Sequence, residues 1–152
     1  MTTEFQTLLG PVPNGLFDVT MKAITAAEIH EVGVGLSPST VMHINQAFNI
    51  DIQWDVAGGL VNAIGGSWDL HAYLEKMGAG SDLDLTDPGD HIIPLQAGPI
   101  PHHYHRQFDV PVGRVANEGA YKLVVTMTYR NRMNVPDQMA GYWEGPIIQF
   151  YP

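Results

Sequence analysis

At 152 residues, with 45% hydrophobic residues, 15% charged residues and no cysteine, the chain is long enough to bury one core by packing alone. The absence of cysteine excludes disulfides, thiol catalysis and thiolate metal sites. Net charge is −9, with Lys22 and Lys76 against twelve acids in residues 1–100 (net −10) and five basic against four acidic residues in 101–152 (net +1). With no basic stripe to displace counterions, neither nucleic acid nor an anionic membrane is an expected partner.

Met1-Thr2-Thr3-Glu4-Phe5 has no basic stretch and no apolar run of signal-peptide type. A cytoplasmic location is therefore expected, with an exported form whose signal has been removed left open. Phe5, Leu8 and Leu9 ahead of Pro11 and Pro13 predict an extended arm over residues 1–14, lying on its own sheet or on a neighbour's edge. Residues 15–152 form the single expected domain. Phe17, Val19, Met21 and Ala23 alternate with polar residues as a first strand. Residues 26–36 read either as a helical turn over Ala26–Glu31 or as an edge segment ending at Gly33 and Gly35.

The clearest strand has Phe48, Ile50, Ile52, Trp54 and Val56 on one face and Asn49, Asp51, Gln53 and Asp55 on the other. Gly58-Gly59 and Gly65-Gly66 bracket an unusually apolar loop, Leu60-Val61-Asn62-Ala63-Ile64. The next strand runs through Trp68, Leu70, Ala72 and Leu74. Residues 78–101 are rich in turn formers, with Pro88, Pro94, Pro99 and Pro101. Further strands are predicted over about 103–110, 121–130 and 142–151.

In Glu118-Gly119-Ala120-Tyr121 a tyrosine follows a glycine by two residues and opens the strand through Leu123, Val125, Met127 and Tyr129. This resembles the tyrosine corner of immunoglobulin-like domains. The resemblance covers about residues 41–152 and implies an all-β fold: a two-sheet immunoglobulin-like β-sandwich of about seven strands with Greek-key connections. Both antibody-type cysteines are absent. A tryptophan stands on each of two strands, Trp54 and Trp68, leaving the core's pin residue open. One sandwich hosts many functions, so the resemblance implies no activity.

Three groups of residues carry candidate chemistry. In Pro101-His102-His103-Tyr104-His105-Arg106, alternation puts His103 and His105 on one strand face, with Asp109 on the same face. This resembles the first cupin motif, with aspartate in place of glutamate and no later histidine to complete the set. It implies a metal-dependent enzyme with His103, His105 and Asp109 as ligands. The Asp82, Asp84 and Asp87 cluster is a candidate calcium loop, against a plainer reading as caps of turn amides. The third group is apolar. In an immunoglobulin-like sandwich the 60–64 loop shares one end with the 131–140 loop, which carries Met133, Val135 and Met139.

Leu60, Val61, Ile64, Met133, Val135, Met139 and Trp143 are therefore the candidate interaction residues, since contiguous apolar patches mark contact sites. The leading expectation is a non-catalytic module that binds protein, foremost itself, through these loops and needs no cofactor. The alternative is the cupin-like metalloenzyme. A third is a carbohydrate-binding face made of Tyr142, Trp143 and Tyr151.

Overall fold

A computed structural model describes residues 3–7, 18–28 and 40–152. Among them the chain is all β, in two packed sheets. Six long strands carry the fold: β2 (Asp18–Glu28), β4 (Phe48–Ala57), β5 (Ser67–Lys76), β8 (His102–Val110), β9 (Gly119–Arg130) and β10 (Pro136–Tyr151). Four shorter ones are β1 (Thr3–Thr7), β3 (Val41–His43), β6 (Leu83–Asp84) and β7 (Ile92–Pro94). One sheet has the order β2-β4-β8. The other runs β1-β10-β9-β5-β6, with β3 joined to β10 and β7 joined to β5.

With β2, β4 and β8 taken as strands A, B and E, and β5, β9 and β10 as C, F and G, this is the immunoglobulin-like arrangement. The chain changes sheet between β4 and β5 and again between β8 and β9, as Greek-key connections require. The corner motif behaves as expected: the Tyr121 hydroxyl donates to the Asn117 carbonyl at 3.0 Å. Tyr121→Phe leaves packing intact and removes one semi-buried hydrogen bond. We expect a loss of about 1 kcal/mol, read as a lower denaturant midpoint at unchanged slope. An unchanged midpoint would mean that the corner contributes no stability.

The alternating residues of β4, β5 and β9 form the inner faces. Trp54 and Trp68 are both fully buried. Trp54 stacks on Tyr104 at 5.2 Å and 5°. Trp68, on the strand that carries the pin tryptophan in immunoglobulin domains, meets Tyr129 edge-on at 6.0 Å. Leu123, two residues after the corner tyrosine, is fully buried where antibody domains place a cysteine.

The short strands β3, β6 and β7 add to the expected set, and two of the long strands differ from expectation. In β2 the pairing with β4 slips between Met21 and Ala23. This bulge turns Ile24 and Ala26, in place of Ala23, into the core. The strand continues through Ala26–Glu28, which settles that part of the ambiguous segment; residues 29–36 lie outside the described residues. In β10 pairing begins at Pro136, six residues earlier than expected, with register breaks around residues 137–139 and at Gly145-Pro146. On its other edge β10 takes Thr3–Thr7 antiparallel against residues 139–143, and β3 parallel against 149–151. The described part of the N-terminal arm thus lies on its own sheet. Pro146 falls between these two partners, where no ladder bond is asked of it.

Candidate functional site

The two apolar loops do meet at one end of the sandwich. The Tyr129 hydroxyl at the end of β9 donates to the Gly65 carbonyl. The Arg132 guanidinium lies across Gly65, where a side chain on residue 65 would collide with it. A shallow groove of about 380 Å³ opens between them, lined by Ile64, Gly65, Tyr129, Arg132 and Met133.

The 131–135 turn is tightly built. Asn131 Oδ1 accepts from the Met133 and Val135 amides at 2.9 and 3.2 Å, and the Asn131 amide donates to the Val135 carbonyl at 3.0 Å. Asn134 takes the left-handed conformation at φ 59°, which asparagine tolerates. These bonds hold Met133 at the tip, 86% exposed, with Val135 at 52%. On the facing loop, Leu60 is 46% exposed. Asn62 pins that loop by exchanging bonds with the backbone of Gly98, at 2.9 Å to its carbonyl and 3.2 Å from its amide.

The expected set of seven needs correction. Leu60, Met133 and Val135 face water, while Ile64 and Met139 are half-buried against the core. Val61 and Trp143 are fully buried and offer no surface. Val61 turns inward and closes the end of the core. Trp143 pairs with Val125 on the inner face of β10, and its ring folds over Gly141, where a Cβ would stand 2.2 Å from it. Trp143, being inside, does not join Tyr142 and Tyr151 in the expected carbohydrate-stacking face, and Tyr151 meets His43 edge-on at 5.1 Å.

On β8, His103 and His105 share the outer face as alternation requires, and His102 is buried. They do not converge on one point with Asp109. His103 Nδ1 lies 2.7 Å from Asp55 Oδ1, and His105 Nε2 is bonded to Asp51. Asp109 accepts from Gln107 at 3.2 Å. Each histidine thus has its own carboxylate on β4, because the β4–β8 register sets residue 55 opposite 103 and residue 53 opposite 105. The His103 bond, with the charges of His103 and Lys22, holds the Asp55 carboxyl below its ordinary range despite some burial.

The aspartate cluster caps turns. Asp82 accepts from the Lys76 amide at 3.0 Å, Asp84 from the Thr86 amide at 2.9 Å, and Asp87 from the Gly89 amide at 2.8 Å. The three carboxylates serve separate amides and share no common centre.

A further cluster joins residues from two strands that no sequence motif connects. Asp69 and His71 stand two apart on the outer face of β5, and β7 pairs with the same strand so that the Leu70 amide bonds the His91 carbonyl. Asp69 Oδ1 lies 2.8 Å from both His71 Nε2 and His91 Nδ1. Its Oδ2 receives Arg130 Nε at 2.9 Å and a second guanidinium nitrogen at 2.8 Å. Burial pushes the Asp69 carboxyl up, but bonds from His91 and Arg130 and the charges of His71 and Arg130 win, so its pKa is lowered. The Asp-x-His pair was visible in the sequence. His91, twenty residues on in a turn-rich stretch, was not linked to it by any local pattern.

No family model and no curated protein matches this chain. Among solved structures, a Niemann-Pick type C2 protein from the Japanese carpenter ant aligns with 86% of this chain and 91% of its own, at 7% identity and a TM-score of 0.42. A likeness that faint carries no argument about function, and the sandwich assignment rests on the strand order and the tyrosine corner.

Proposed function

We propose that this protein is a non-catalytic β-sandwich module that self-associates through the rim formed by the 60–64 and 131–135 loops. The observation that carries the reading is Met133, 86% exposed on a turn locked by Asn131 and standing beside an open groove on the same rim. A knob and a groove side by side suit a two-fold contact, in which each copy's methionine enters the other's groove. Methionine adapts to irregular gaps, and a preformed turn reduces the ordering cost of association. Ile64 and Tyr129 give the groove its apolar wall and Arg132 a polar one, while Leu60 and Val135 are further exposed apolar side chains of the same two loops.

Sedimentation equilibrium over a range of concentrations tests this. The wild type is expected to gain mass with concentration. Leu60→Asp with Met133→Asp is expected to weaken association at least ~10-fold, since two charges would have to be desolvated, while the far-UV spectrum stays the same. A wild type that remains monomeric at every concentration and binds no partner would overturn the reading.

A further inference from the structure

We propose that Asp69, His71 and His91 form a binding site for a divalent first-row transition metal of the zinc class, with three protein ligands and one side open to solvent. Their ligand atoms, Asp69 Oδ1, His71 Nε2 and His91 Nδ1, all lie within 4.8 Å of one another. A tetrahedral ion bound at about 2.0–2.1 Å sets neighbouring ligand atoms roughly 3.3 Å apart. The present 2.8 Å separations of Asp69 from each ring therefore need an opening of about half an ångström, and the two ring nitrogens already stand within 4.8 Å of each other.

Two imidazoles and one carboxylate form a donor set that suits zinc and its neighbours, and three protein ligands are the pattern of open sites. The outer partners are also in place. Thr86 Oγ1 lies 3.3 Å from His71 Nδ1, the ring nitrogen turned away from the cluster. Thr86 is itself held by the Ala72 amide, which donates to it at 3.1 Å. Arg130 occupies the second oxygen of Asp69 and leaves Oδ1 for the ion. Such outer bonds fix the tautomer and orientation of metal ligands. The Asp69 side chain is 8% exposed, whereas His71 and His91 are 31% and 27% exposed. The carboxylate is thus anchored at the base while both rings can be reached from solvent.

The site shares no ligand with the His103–His105 strand, and it is linked to the loop rim through Arg130, which also donates to the Asn134 carbonyl at 3.1 Å. It is tested with tag-free protein freed of metal by chelation, titrated with zinc by calorimetry and with cobalt(II) as the optical probe. The expected result is one ion per chain, with a cobalt spectrum of tetrahedral intensity. His71→Ala and His91→Ala are each expected to weaken binding more than ~100-fold, and Thr86→Val about 10–100-fold, the range for an outer partner. His103→Ala is expected to bind as the wild type does. Circular dichroism identifies any variant that fails to fold, and the second histidine variant then decides. Absence of stoichiometric uptake by folded wild type, or uptake kept in His71→Ala and His91→Ala but lost in His103→Ala, overturns the proposal.

Discussion

Gly66→Ala is expected to destabilise the protein by about 3 kcal/mol, the sum of left-handed backbone strain and a backbone collision. Gly66 has φ +116°, and a Cβ there would stand 2.2 Å from the Arg130 carbonyl oxygen. That oxygen cannot withdraw cheaply, because Arg130 pairs with Ser67 on one side and Pro136 on the other. The glycine is what allows the 60–64 loop to enter β5 while pressed against the end of β9. Gly78→Ala supplies the control. Gly78 also has a positive φ, +100°, but its added Cβ would meet nothing within 4 Å. It is expected to cost only about 1 kcal/mol, from strain alone. Equal losses at the two positions in urea unfolding would contradict the close approach of Gly66 to the end of β9.

Asp69→Ala, measured with chelator present, is expected to cost about 3 kcal/mol, since removing one partner of a buried pair leaves the other uncompensated. The Arg130 guanidinium, 25% exposed, loses both bonds to Oδ2, and His71 and His91 lose the acceptor that ties β7 to β5. If loss of pairing is the cause, replacing both members with apolar residues should recover much of the deficit. Asp69→Leu with Arg130→Met is therefore expected to be more stable than Asp69→Ala. A double variant no better than the single would show that the cluster acts through orienting β7 and not through charge compensation.

The parts of this fold legible in the sequence are those whose signal is local. The corner hydrogen bond spans four residues, from Tyr121 to Asn117, and could be read from a short motif. The alternations of β4, β5 and β9 each report a face directly, and the structure places those residues in the core as expected. The two loops could be assigned to one end because the fold class fixes which connections share it.

Features that depend on distant chain were not legible. The bulge in β2 reverses the faces after Lys22, which simple alternation does not reveal. Loop composition separates apolar from polar but not inward from outward, so it puts Val61 with Leu60 although one closes the core and the other faces water. His103 and His105 share a face in sequence, yet their partners, Asp55 and Asp51, come from β4 and divide them. The Asp69 cluster needs β5, β7 and β9 side by side before it exists at all.

The rim is addressed most directly through its methionine. Seven methionines can be labelled with carbon-13 at the methyl group and followed by NMR as the protein is concentrated. Met77, 48% exposed just beyond β5 at the end away from the rim, is an internal reference. The expected result is that the Met133 methyl shifts and broadens with concentration while that of Met77 stays in place. A Met133 signal that is unchanged up to the highest concentration, or that moves only in step with Met77, would contradict association through this end.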